Sequence, residues 1–138
     1  MAEITRLFID TSYVLGLYNK GDQYHKLCVD AMPLAQKARK LYITDAVLME
    51  IGNAFSGVQR RVQGGKIIRD FLNAAHVTVE HLTPEYFEEA LQLYEQYSDK
   101  QWGMVDCLSF VIMQKYNLNT CLGTDYHFVQ AGFQVLPM

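Results

Sequence analysis

The apolar residues of this chain fall into short runs separated by polar, glycine-marked and proline-marked breaks. Leu7-Phe8-Ile9 is apolar in succession without alternation, which predicts a strand covered on both faces, as in a parallel sheet, and Leu41-Tyr42-Ile43 and Thr120-Cys121-Leu122-Gly123-Thr124 predict two more short strands. His76 to Leu82 alternates around Val77 and Val79 and predicts a further strand. Gln134-Val135-Leu136, closed by Pro137, predicts one at a sheet edge.

Helical spacing fills the intervals. Tyr13 to Tyr18 predicts a short helix stopped by Asn19-Lys20-Gly21-Asp22, and His25 to about Arg39 a longer one kinked at Pro33. Thr44 is a good N-cap for a helix from Asp45 to about Val62, in which Val47, Leu48, Ile51, Phe55 and Val58 adjoin a face carrying Ala46, Glu50, Asn53, Ala54 and Gly57. Gly64-Gly65 is expected to break it, with Lys66 to Ala75 resuming. Thr83-Pro84-Glu85 opens a helix to about Tyr97, and a loop from Ser98 to Gly103 follows. Val105 to Tyr116 is apolar on most sides and predicts the most buried helix. Phe128 to Ala131 makes a short turn or helix. This order predicts an α/β fold whose central, mainly parallel β-sheet of four to five strands is flanked by helices on both sides. Without internal repeat or linker, residues 1–138 read as one domain.

Composition narrows the function classes. At 138 residues, half of them hydrophobic, the chain can bury a core without disulfide or metal staples. Its apolar runs are too short to span a bilayer, and Glu3 and Arg6 sit where a secretory signal would begin, so a cytoplasmic protein is expected. Cys28, Cys107 and Cys121 lack a CxxC pairing and read as reduced, buried thiols. A formal charge of −3 argues against a wholly basic nucleic-acid surface but leaves room for an enzyme whose metal ions supply local positive charge.

Acids recur where the elements meet. Asp10 ends the first strand, Asp125 follows the fourth, Glu50 lies within an apolar helix and Asp106 in the first turn of another. Each also has a plain structural use: Asp10, Thr11 or Ser12 suits helix capping, and Asp106 suits a helix N-terminus. In a parallel sheet with right-handed crossovers, however, the carboxyl ends of the strands share one edge, where ligands collect. Four carboxylates brought together there cannot all stay ionised unless a cation offsets them, and all-oxygen donors suit Mg²⁺ or Mn²⁺. Such ions serve phosphodiester hydrolysis, and no serine–histidine–acid triad, P-loop or GxGxxG fingerprint competes with that chemistry. Arg60, Arg61, Lys66 and Arg69 form the only dense basic cluster, which fits either a solvated helical hairpin or the holding of RNA phosphates.

Four motifs in order, Phe8-Ile9-Asp10-Thr11-Ser12, Thr44-Asp45-Ala46-Val47-Leu48-Met49-Glu50-Ile51, Val105-Asp106-Cys107-Leu108-Ser109-Phe110 and Thr124-Asp125-Tyr126-His127-Phe128, are followed by Ala131-Gly132-Phe133. In them the chain resembles, over essentially its whole length, the PIN-domain ribonucleases, in particular the VapC-like toxins of bacterial toxin–antitoxin pairs. The resemblance implies a Mg²⁺- or Mn²⁺-dependent endoribonuclease whose metal-binding and catalytic acids are Asp10, Glu50, Asp106 and Asp125, with none of the four missing. It further implies that Thr11, Ser12 or Thr124 orients the carboxylates, with Asp99 either assisting or capping its loop. His127 invites a general-base role, but beside Phe128 it reads as part of a packed segment. Trp102 and Tyr126 either stack on an unpaired base or cover the core. A homodimer is implied too, as is a cognate antitoxin that inserts a segment into the site along an apolar wall of Tyr13, Leu17 and Phe55. The competing function is a PIN-like RNA- or protein-binding module without cleavage; a DNA-flap nuclease is disfavoured by the short chain.

Overall fold

Leu7 and Ile9, on one side of the first strand, and Phe8, on the other, enter separate buried clusters, which is why that run is apolar without alternation. The computed structural model describes residues 5–138; Glu3, used above against a secretory signal, lies outside them. Strand β1 (Arg6–Ile9) leads through α1 (Thr11–Tyr18), α2 (His25–Asp30) and α3 (Met32–Lys37) to β2 (Lys40–Thr44). Helices α4 (Asp45–Ala54) and α5 (Arg61–Asn73) connect to β3 (Val77–Glu80), α6 (Pro84–Gln96) and α7 (Met104–Lys115) to β4 (Thr120–Gly123), and the short α8 (His127–Gln130) to β5 (Gln134–Pro137).

The strands form one five-stranded sheet in the order β3-β2-β1-β4-β5, with every neighbouring pair parallel. Buried residues of α1, α4 and α5 join one cluster and those of α6, α7 and α8 the other, so helices cover both faces as the sequence predicts. From β1 the chain steps outward to β2 and β3, then crosses back to lay β4 and β5 on the opposite side. The order therefore reverses between β1 and β4, and a crevice opens beyond their carboxyl ends. Helix α7 is the buried one, with Cys107 through Met113 all buried. All three cysteines are buried free thiols. No described helix is long and apolar enough to cross a membrane.

Two helix boundaries differ from the sequence reading. The segment predicted from His25 to Arg39 is two helices meeting at Ala31, because Pro33 lacks an N–H and is accommodated in the first turn of a new helix. The segment predicted from Asp45 to Val62 ends at Ala54, and Gly64 and Gly65 lie inside α5. Its apolar face stops at Phe55, which is 1% exposed, whereas Val58 is 90% exposed. Gly64 is needed for packing: a Cβ there would lie 2.6 Å from the Phe55 Cβ, so only hydrogen allows α5 to close on the end of α4.

These two adjacent glycines therefore make opposite predictions. Gly64→Ala should destabilise the fold by about 1–3 kcal/mol through overpacking against Phe55. Gly65→Ala, where nothing lies within 4 Å of the added Cβ, should instead gain up to about 1 kcal/mol of helix propensity. Urea denaturation of both variants reads the contrast.

Candidate active site

Asp10 leaves β1 still paired to its neighbour, its N–H donating to the Leu122 carbonyl at 3.0 Å. Its backbone then turns extended and it caps α1, with Oδ2 accepting both the Ser12 N–H at 3.1 Å and the Ser12 hydroxyl at 2.5 Å. Ser12 Oγ in turn accepts the Thr124 N–H at 2.9 Å, which ties the start of α1 to the loop after β4. Gly123 makes this approach possible, since a Cβ there would meet Ser12 Oγ at 3.1 Å and Asp10 Cβ at 3.3 Å.

The other acids arrive from helices and loops. Glu50, on α4, accepts the Thr11 hydroxyl on Oε1 at 2.6 Å. Asp106, in the first turn of α7, accepts the Gly103 N–H on Oδ2 at 3.0 Å. Asp125 accepts the His127 N–H on Oδ1 at 2.9 Å. Asp10, Glu50, Asp106 and Asp125 line one cleft together with Thr11, Ser12, Leu15, Asn53 and His127. Capping and convergence are thus not alternatives, because the hydrogen bonds that cap or hold these acids engage only one oxygen of each carboxylate. Among the described residues, Asp10 Oδ1, Glu50 Oε2, Asp106 Oδ1 and Asp125 Oδ2 receive no hydrogen bond.

Electrostatics sharpens this picture. Burial pushes the Asp10 carboxyl up to about 6, against the opposing Ser12 hydrogen bonds and with the help of Asp125 and Asp106. Glu50 and Asp106 are also raised, chiefly by burial, although Thr11 and the Gly103 N–H respectively pull them down; neighbouring carboxylates push both up further. Among the described residues, no lysine or arginine lines the cleft. Fixed oxygen donors with unused lone pairs and no resident cationic side chain fit a hard divalent cation.

The remaining sequence candidates divide. Thr11 and Ser12 hold acids through their hydroxyls, whereas Thr124 contributes its backbone N–H. Asp99 is exposed on its loop, bonded to Lys100 at 3.1 Å, and does not line the cleft. The basic cluster also stands outside it: Arg60 stacks over the Phe55 ring at 4.3 Å, Arg61 donates to the Ser56 carbonyl at 3.1 Å, Lys66 pairs with Asp70 at 3.0 Å, and Arg69 is exposed on α5. Trp102 is core, packed edge-on against Phe110 and bonded through Nε1 to Gln130, while Tyr126 is 59% exposed beside Asp125. The proposed apolar wall is corrected: Phe55 is sealed beneath α5, and only Tyr13 and Leu17 line an apolar cleft, shared with Met32, Ile67 and Phe71. His127 stands closer to the acids than its place beside Phe128 suggests. Its Nδ1 lies 3.1 Å from both Asp106 Oδ2 and Asp125 Oδ1, and the Asp-x-His spacing is the signal in the sequence that points there.

A family model described as the PIN domain matches residues 7–134. The 23S rRNA-specific endonuclease VapC20 of Mycobacterium tuberculosis is 26% identical over 131 residues, covering 92% of this chain and 95% of the relative. The crystal structure of that VapC20, described as a sarcin–ricin-loop-cleaving toxin, superposes with a TM-score of 0.81 at 24% identity, covering 92% and 95% of the two chains. VapBC2 from Rickettsia felis, bound to a promoter DNA fragment, gives 0.63 at 17% identity, with 94% and 96% covered.

The site's charge sets a pH dependence. Between the ordinary value of 3.8 and about 6, folded Asp10 holds a proton that the unfolded chain has lost, so the metal-free protein loses stability as pH rises through that window. The loss from this carboxyl is about 3 kcal/mol. Urea unfolding in EDTA should therefore show lower stability at pH 7 than at pH 4.5, and Asp10→Asn should flatten the difference. A profile that Asp10→Asn leaves unchanged would place the cost elsewhere.

Proposed function

The chain belongs to the PIN-domain family, and from that premise we propose that it is an endoribonuclease hydrolysing RNA phosphodiester bonds, the toxin of a toxin–antitoxin pair. The single observation that carries this reading is the convergence of four carboxylates, each with an unused oxygen, on one cleft at the switch point of a parallel sheet. The VapC relative named as an rRNA endonuclease supports the substrate class.

In this reading Asp10, Glu50, Asp106 and Asp125 hold Mg²⁺ or Mn²⁺. The ion supplies Lewis-acid stabilisation of charge developing on the phosphoryl oxygens. Everything else falls to the chain. Ser12 fixes Asp10, Thr11 fixes Glu50, the Gly103 N–H fixes Asp106, and the Thr124 N–H locks Ser12 in place. Such outer hydrogen bonds orient ligands and cut the reorganisation needed when a phosphate enters. Tyr126, next in sequence to Asp125 and 59% exposed, offers a ring on which an unpaired base can stack. Arg60, Arg61, Lys66 and Arg69, carried by α5 and the turn before it, attract the RNA backbone, since α5 packs on the helix that bears Glu50. The protein works in the cytoplasm as a homodimer restrained by an antitoxin; the VapBC2 neighbour supports an antitoxin partner.

Two tests follow from this assignment. With a structured RNA substrate, Asp106→Asn should lose metal-dependent cleavage by at least about a hundredfold, while the wild type cleaves in Mg²⁺ or Mn²⁺ and arrests growth when expressed alone. RNA binding without cleavage by the wild type would sink the enzyme reading in favour of a binding module. Replacing Arg60, Arg61, Lys66 and Arg69 by glutamine should weaken RNA binding and reduce the salt slope by about one for each phosphate no longer neutralised. The metal-induced rise in melting temperature should stay the same; if it falls in parallel, the cluster is structural.

A further inference from the structure

The proposed activity leaves unexplained why a histidine ring sits between two of its acids. His127 is the first residue of α8, its side chain 30% exposed, and its Nδ1 stands 3.1 Å from Asp106 Oδ2 and 3.1 Å from Asp125 Oδ1. Ligating atoms of Asp106, Asp125 and His127 all lie within 4.8 Å of one another. The ring is not needed to hold either acid. Asp106 Oδ2 already takes the Gly103 N–H, and Asp125 Oδ1 already takes the backbone N–H of His127 itself. That second bond closes a tight Asp-x-His turn, which fixes where the imidazole can reach.

The separations match a coordination sphere. In a six-coordinate site with bonds of about 2.1–2.2 Å, adjacent donors lie about 3 Å apart. The nitrogen has that spacing to one oxygen of each acid. Nε2 has no hydrogen-bond partner among the described residues, and the ring's partial exposure leaves it room to donate an N–H to water while Nδ1 faces the acids, as in a ligating histidine.

We propose that His127 is itself a metal ligand, through Nδ1, so that it joins Asp106, Asp125 and the other cleft carboxylates in a mixed oxygen–nitrogen set rather than an all-carboxylate one. The inference rests on the reading that this cleft binds a divalent cation. Its consequence is metal choice: imidazole nitrogen favours first-row transition ions, whereas Mg²⁺ is served by oxygen. The chain therefore binds Mn²⁺ in clear preference to Mg²⁺, and His127 is the residue that sets the preference.

The test uses the full chain loaded with Mn²⁺ alone. Pulsed electron paramagnetic resonance should show nitrogen modulation from one directly bonded imidazole in the wild type, and none in His127→Gln, whose amide can still hydrogen-bond both acids. Calorimetry should show His127→Gln losing about tenfold or more in Mn²⁺ affinity, with a smaller change for Mg²⁺. Unfolding in EDTA checks that the variant is folded, and the wild-type spectrum decides the question even if it is not. Tight Mn²⁺ binding without nitrogen coupling would overturn His127 as a ligand and leave the nuclease reading standing. Failure of the wild type to bind Mn²⁺ or Mg²⁺ at all would remove both.

Discussion

Carboxylates held close together repel, and two unit charges 4 Å apart do so by about 4 kcal/mol at an effective dielectric constant near 20. The fold gathers Asp10, Glu50, Asp106 and Asp125 into one cleft against that repulsion, and it adds the cost of burying Asp10, which is 5% exposed. Neither cost is met locally. It is met by the apolar clusters on both faces of the sheet, which fix the strand ends and helix starts that carry the acids. The site is a place where stability is given up, and a divalent cation is the natural complement that returns it.

Orientation follows from the same few parts. Asp10 and Asp106 each satisfy an N–H at a helix start, as the first turn of any helix requires, yet each does so with a single oxygen. The second oxygen of each is therefore left without a hydrogen-bond donor, in a residue that lines the cleft. Thr11 and Ser12, adjacent on α1, serve two acids from different elements, one on α4 and one at the end of β1. Ser12 further joins the loop after β4 through the Thr124 N–H. Small residues keep these connections short: Gly123 beneath Ser12 and Asp10, and Gly64 against Phe55 where α4 ends.

The parallel sheet gives this arrangement its direction. Reversal of strand order between β1 and β4 leaves their carboxyl ends without a covering crossover, and Asp10 and Asp125 follow those two strands. Helices α4 and α7 then bring Glu50 and Asp106 to the rim. His127 enters beside Asp125 because α8 starts two residues beyond it.

How much of this was legible depends on the range of the interaction involved. Covered strands, the capping threonines before α4 and α6, the buried α7 and the four acids at element junctions are all local signals, written within a few residues by hydrophobic pattern and turn chemistry. The sequence by itself therefore determined the α/β class, the five strands and most of the helices. It did not determine where α4 stops, since Gly64-Gly65 reads as a breaker until Phe55 is seen lying against it. Nor did it determine that Ser12 meets Thr124, or His127 meets Asp106, pairings that span 112 and 21 positions. Those pairings are set by strand register and helix packing, which depend on all the elements at once and leave no periodic trace along the chain.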